Sequence, residues 1–288
     1  MSCWQTTRFR IDLGRPRVMA IVNTTPDSFS DGGRLPDAQA ALQRCEALLR
    51  EGADILDIGG ESTRPGAAPV PADAEWARVE PVLRGALGLG CPVSIDTMKT
   101  EVMARALDLG VDIVNDVMAL RAPGAEACVA ASAAGICLMH MRGEPRSMQA
   151  VEPVYGDVVR EVAAFLAARV AALQGRGVAP DRITVDPGIG FGKTLAHNLE
   201  LLARQRELIA LAGRPLLAGW SRKSSLGRLT GREVGDRLPA SVAAALAAVQ
   251  QGAAVVRVHD VAATVDALTV WRAAGLLPAA AAASSPGP

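Results

Sequence analysis

Eight short apolar runs recur along this 288-residue chain, and each leads into a polar or glycine-bearing cluster. They are VMAIV before Asn23, ADILDI before Gly59, PVSI before Asp96, VDIV before Asn115, GICLM before His140, RITV before Asp186, PLLAG ahead of Ser221 and AVVRV before His259. Runs rich in Val and Ile, without polar alternation, suit parallel strands buried on both faces. The segments between them are patterned as helices. Residues 37–51 set Ala41, Leu42, Cys45, Leu48 and Leu49 on one face, and 157–173 do the same with Val158, Val162, Phe165, Leu166 and Val170. The runs start about 20 to 45 residues apart, enough for a βα unit of about 30 residues. This pattern predicts an α/β fold, a (β/α)8 TIM barrel, in which all strand C-termini open on one face and build the active site. Asn23, Asp96, Asp186 and His259 then share one pocket.

The length fits one barrel of about 250 residues with insertions, so a single domain is expected over residues 1–277, followed by a low-complexity tail over 278–288. Alternation from Phe9 to Leu13, then Gly14 and Pro16, suggests a small hairpin over the barrel floor. With half the residues apolar and few aromatic, Ala, Val, Leu and Ile must build the core. Formal net charge is zero, which disfavours a dedicated nucleic-acid binder. Five cysteines (Cys3, Cys45, Cys91, Cys128, Cys137) form no CxxC pair and read as reduced thiols of a cytoplasmic protein, with Cys137 in the core. The first residues contain no apolar segment of a secretory signal. The apolar stretch from Ala122 to Met139 is interrupted by Pro123, Gly124, Glu126 and Gly135, so no membrane span is expected.

Two long loops lie on the predicted catalytic face: NTTPDSFSDGGRLP (23–36) and GGESTRPGAAPVP (59–71). Loops of this length in a compact fold are lids or disordered segments. Four further clusters carry chemistry. In DPGIGFGK (186–193), glycines allow close backbone approach to a flat ligand or anion; the alternative is a tight βα turn, but Asp186 at the strand tip faces the pocket. In GWSRKSSLGRL (219–229), Lys223 follows strand 7, and Ser224 or Ser225 can cap a helix whose N-terminus attracts an anion. The alternatives there are a capped helix with two solvated cations, or a Schiff-base Lys223 whose pKa Arg222 lowers. In RVHD (257–260), Arg257 and His259 point to the same side of a strand and suit a diphosphate. Asp96 and Asn115 end core strands and need partners: each other, backbone amides, or a ligand with a guanidine-like edge. Asn23 offers an oxygen to Mg²⁺ held mostly by phosphate. No His/Cys cluster suits zinc. An Ala-rich helix over 241–249, capped by Ser241 or its neighbours, permits close helix contact within the barrel or across a dimer.

Taken in order, NTTPDSFSDGG, GGESTRPGA, SIDT, ND, MHMRGEP, DPGIGFGK, SRKS and RVHD resemble the dihydropteroate synthase family, from about Phe9 to Ala274. Thr24 departs from the family pattern, which favours a branched apolar residue there. The resemblance implies condensation of 6-hydroxymethyl-7,8-dihydropterin diphosphate with p-aminobenzoate to 7,8-dihydropteroate and pyrophosphate, a folate-pathway step and sulfonamide target. It implies a pterin pocket of Asp96, Asn115, Asp186 and Lys223, with Met139, Phe191 and Gly219 beside it. Asn23, Arg257 and His259 would hold the diphosphate, with Mg²⁺ at Asn23. Ser224, with Phe29, Thr63, Arg64 and Pro65 from the two loops, would hold p-aminobenzoate. A homodimer is the family expectation. A pterin-dependent methyltransferase of the same fold has no need of a diphosphate site. A non-catalytic pterin-binding paralogue would have lost the polar loop residues that are complete here.

Overall fold

The structure is a computed structural model and describes residues 2–24, 34–63, 66–143 and 152–277. The tail over 278–288, Phe29, Arg64 and Pro65 lie outside the described residues.

The chain opens with an antiparallel hairpin, β1 (Cys3–Gln5) with β2 (Arg10–Asp12), which pairs Trp4 with Ile11. Eight parallel strands follow: β3 (Arg17–Asn23), β4 (Ile55–Gly59), β5 (Val93–Asp96), β6 (Ile113–Asp116), β7 (Gly135–Met139), β8 (Ile183–Asp186), β9 (Leu217–Ala218) and β10 (Val255–Val258). Their order is β8-β7-β6-β5-β4-β3-β10-β9. A parallel bridge from Val185 to Leu216 closes the ring between β8 and β9. The connections are helical: α1 (Arg34–Arg50), α2 (Ala72–Ala86), α3 (Thr100–Leu109), α4 (Ala125–Ala130), α5 (Val158–Gln174), α6 (Leu195–Ala203), α7 (Gln205–Ala212), α8 (Ser224–Thr230), α9 (Leu238–Gln250) and α10 (Val261–Ala273). The (β/α)8 barrel read from the apolar runs is therefore present, strand for strand. The run before Ser221 yields only two residues of strand, and α1 begins at Arg34, ahead of the expected Asp37.

The core has two parts. Outside the ring, the helical faces pack on the outward strand residues: Cys45 and Leu48 of α1 and Val162, Leu166 and Val170 of α5 are buried there, as their spacing requires. Inside the ring, at the strand N-termini, Met19, Ile55, Ile113, Cys137, Leu217 and Val255 form a plug with Trp4 and Ile11 of the hairpin. The Trp4 indole donates to the Arg182 carbonyl at 3.0 Å. Gly135 makes room for it, since a Cβ at that position would lie 2.8 Å from the indole nitrogen. The five cysteines are free thiols, and Cys137 is fully buried. Among the described residues, no helix is long and apolar enough to cross a membrane.

Two cap assignments need correction. Ser241 does not cap α9, which starts at Leu238 with Pro239 in its first turn. The Ser241 hydroxyl instead donates to the Arg237 carbonyl at 2.7 Å and accepts from the Arg222 backbone N–H at 2.9 Å. Likewise neither Ser224 nor Ser225 caps α8; Lys223 occupies the N-cap position without a side-chain cap bond.

Candidate active site

Parallel pairing sets the strand ends side by side. Asn23 lies opposite Gly59, Gly59 opposite Asp96, and Asp96 opposite Asn115. Met139 lies opposite Asp186. Because side chains alternate along a strand, Asp57, Asp96, Asn115 and Arg257 all point into the ring. There they form one network. Arg257 Nε donates to Asp57 Oδ2 at 2.6 Å and Nη2 to Asp96 Oδ2 at 2.5 Å, while the Asn115 amide donates to the same Asp57 oxygen at 3.1 Å. The expectation that Asp96 and Asn115 bond each other or backbone amides is replaced by this arrangement. The Arg257 guanidinium fork is thus engaged by two carboxylates, and the His259 ring Nδ1 lies 3.0 Å from Ser221 Oγ. A buried fork surrounded by carboxylates finds a charged partner on the protein, since an uncompensated buried charge is costly.

Asp57 is the residue that the apolar pattern conceals. It is fully buried, and among the described residues its Oδ1 has no hydrogen-bond partner. The signal was an acid inside the run ADILDI, two residues before Gly59 and so on the same inward face. Burial, with the nearby carboxylates of Asp57, Asp116 and Glu75, pushes the Asp96 carboxyl up to about 7 against the pull of Arg257.

The second half of the site comes from β8, β9 and the segments after them. Asp186 Oδ1 accepts the Gly188 N–H at 2.7 Å, and burial raises its pKa, opposed chiefly by Lys223. Lys223 donates to the Ile189 carbonyl, and its ammonium lies 4.7 Å from the Phe191 ring centroid. Burial lowers the Lys223 pKa to about 8; Asp186 acts against that shift and Arg257 adds to it. Arg222, expected to cause the shift, is instead tied to Asp260 through Nε at 3.0 Å and through Nη2. Arg222 has a left-handed φ of 57°, and its backbone N–H donates to the Ser241 hydroxyl. A Cβ on Gly219 would lie 3.7 Å from Asp186 Oδ2 and 3.9 Å from Lys223 Nζ, so the bare glycine leaves the space between acid and ammonium open.

Met139 and Phe191 meet in one apolar cluster with Val117, Met141, Met98 and Met118, the wall expected beside these charges. Ser224 begins α8, directly after Lys223. Thr63 is half-buried beyond β4. Thr24, at the departure from the family pattern, donates through its hydroxyl to the Gly59 carbonyl at 3.1 Å, beside the Asn23–Gly59 pair, so the polar atom is satisfied where an apolar residue would also fit.

Lys193 and His140, quoted in the motifs without a role, form a buried pair. Lys193 Nζ lies 2.9 Å from His140 Nδ1 and donates to the Gly188 and Phe191 carbonyls at 3.0 Å each. Burial lowers both pKa values, that of Lys193 well below the ordinary lysine range.

A barrel whose inner strand ends carry two acid–base clusters beside an apolar wall is built as an enzyme of the TIM-barrel class. Residues 19–259 match the family described as "Pterin binding enzyme". The chain is 57% identical over 277 residues to a dihydropteroate synthase of Neisseria meningitidis serogroup C, covering 95% of this chain and 98% of that one. Among solved structures, it resembles the Xanthomonas albilineans dihydropteroate synthase with 4-aminobenzoic acid (51% identity, TM-score 0.87, 93% and 96% of the two chains). It also resembles the Burkholderia cenocepacia dihydropteroate synthase complexed with 7,8-dihydropteroate (51% identity, TM-score 0.86, 95% and 96%). The chain belongs to the dihydropteroate synthase family of pterin binding enzymes.

Proposed function

We infer that the protein condenses 6-hydroxymethyl-7,8-dihydropterin diphosphate with p-aminobenzoate, giving 7,8-dihydropteroate and pyrophosphate in folate biosynthesis. The observation that carries this reading is 57% identity across nearly the whole of the meningococcal enzyme. In this reading the C–O bond between the pterin methylene and diphosphate breaks, a C–N bond to the arylamine forms, and the amine proton leaves to solvent.

The residues divide the work. Asp186, Asn115 and Asp96 accept from or donate to the pterin edge, and Lys223 donates to it, with Met139 and Phe191 against the ring faces. The Asp96 carboxylate, with that of Asp57 behind it, stabilises positive charge on the methylene as the bond breaks. Arg257 exchanges part of its hold on those carboxylates for the leaving group, joined by His259 and Asn23. An arylamine is weakly basic, so no strong general base is required. Ser224 receives the aminobenzoate carboxylate, and Phe29, Thr63, Arg64 and Pro65 complete that subsite.

The donor set fits Mg²⁺ of a particular kind. Asn23 supplies a neutral amide oxygen, while Asp57 and Asp96 are committed to Arg257, and no group of three or more His, Cys, Asp or Glu among the described residues is placed to hold an ion. Such a site suits a hydrated cation bound mainly through substrate phosphate oxygens. When bound, Mg²⁺ neutralises charge on the departing diphosphate. We also propose a homodimer and a cytoplasmic location; exposed Leu229, Val234 and Leu238 around the start of α9 favour the dimer, and the free thiols favour the compartment.

The test is pyrophosphate release from purified protein with pterin diphosphate and Mg²⁺, with and without p-aminobenzoate. Dihydropteroate is expected to form, and to fall by about 10²–10³-fold in Lys223→Ala and Arg257→Ala. Cleavage without the amine supports a dissociative displacement; strict dependence on the amine argues against it. Pterin binding without turnover would mark a non-catalytic paralogue, and absence of pterin binding would overturn the pocket.

A further inference from the structure

The loop after β8 is held from two sides. On one side it lies flat on the end of β7. A Cβ on Gly188 would come within 1.9 Å of the His140 carbonyl oxygen, and one on Gly192 within 2.5 Å of the Arg142 carbonyl oxygen. Both glycines have left-handed φ, at 67° and 62°, where a side chain is disfavoured in any case. Lys193 fastens that side through the Gly188 and Phe191 carbonyls.

On the other side the fastening is Asn198 of α6, which is 1% exposed. Its Oδ1 accepts the Gly190 N–H at 2.9 Å. Its Nδ2 donates to the Thr194 carbonyl at 2.8 Å and to Ser225 Oγ at 3.0 Å. Ser225 is buried in the first turn of α8, next to Ser224. One amide thus joins the loop that carries Phe191 and the Ile189 carbonyl under Lys223 to the helix that carries Ser224. A planar, two-sided amide buried among fixed partners holds both elements in register, because losing either bond leaves a buried polar group unpaired.

We propose that Asn198 is a positioning residue that fixes the p-aminobenzoate subsite relative to the pterin subsite, acting through Ser225. The proposal rests on the placement of the aminobenzoate carboxylate at Ser224. Both side chains are buried, so their effect is on where Ser224 stands. Cutting the Asn198–Ser225 bond removes one buried tie on α8, while the loop stays fastened by Lys193 and by Asn198 to Gly190.

The experiment measures KM for each substrate at saturating concentration of the other, with kcat, in Ser225→Ala, Asn198→Ala and Ser224→Ala. Ser225→Ala is expected to raise KM for p-aminobenzoate about three- to tenfold, the size of one buried hydrogen bond, with KM for pterin diphosphate within about twofold of the parent. Asn198→Ala should raise both KM values, and adding Ser225→Ala to it should change aminobenzoate KM no further, because the shared bond is already gone. Ser225→Thr, which restores a hydroxyl, should recover most of the loss. Unchanged aminobenzoate KM in folded Ser225→Ala, or an equal rise for both substrates, overturns the proposal while leaving the Ser224 placement intact. No change in Ser224→Ala would instead overturn the placement on which it rests. Ser225→Ala removes only one oxygen, so the test remains decisive even if Asn198→Ala does not fold.

Discussion

At the floor of the barrel the inward residues include Ile55, Ile113, Leu217 and Val255, and they meet Trp4 and Ile11 in an apolar plug. Two residues further along, the inward positions are Asp57, Asn115 and Arg257, with Gly219 just past the end of β9. The backbone is the same and the side-chain direction is the same. What changes is the kind of constraint. The floor needs volume and apolarity, and tolerates exchange among residues of similar size. The charged layer needs each group to have its own partner, because a buried acid without a cation is far more costly than a poorly filled gap. The floor therefore governs stability, and the upper layer governs chemistry at some cost to stability.

The largest separation of the two should come from Trp4→Ala. It is expected to lower unfolding free energy by about 3–5 kcal/mol, read from denaturant unfolding, while kcat/KM of the folded fraction stays near that of the parent. A matching collapse of kcat/KM under conditions where the variant is folded would mean that the floor and the site are not independent.

Asp57→Asn sharpens the other side. The amide keeps the shape but removes one of the two charges on Arg257, so kcat/KM should fall about 10–100-fold, the worth of a charge-assisted hydrogen bond. The thermal midpoint should move little by comparison. Activity equal to that of the parent would reduce Asp57 to a space-filling residue.

The smallest effect is one of pH. The Asp96 carboxyl is raised, so its charged form gains ground only as pH rises through about 7. The Lys223 ammonium is lowered, so its charge is lost as pH rises through about 8. With both needed in charged form, kcat/KM should be bell-shaped, falling below the first value and above the second. Lys223→Arg, whose guanidinium does not titrate in this range, should flatten the alkaline limb. A profile without limbs would remove both titrations from the reaction.

The ring of strands was readable because buried parallel strands leave uninterrupted Val/Ile runs, and the floor hairpin because Phe9 to Leu13 alternate. The upper layer was readable only by residue type. Asp96, Asn115, Asp186, Lys223 and Arg257 all reach the inner strand ends, but their partners depend on which inward positions share a layer across the ring, and that depends on register. This is why the hold of Asp57 and Asp96 on the Arg257 fork is not legible in the sequence, and why Asp57 is hidden inside an apolar run. Helix caps depart from expectation for a related reason. Ser224, Ser225 and Ser241 have the right chemistry for helix starts, but tertiary partners such as Asn198 and the Arg222 backbone claim two of these hydroxyls.

The floor also orders events in time. Trp4 anchors to a carbonyl 178 residues later, and Ile11 shares its cluster with Val255, in the last strand of the ring. During synthesis the stopper is made first and its socket strand by strand, from Met19 to Val255. The complete plug therefore rests on contacts of long sequence separation, the kind that slows folding.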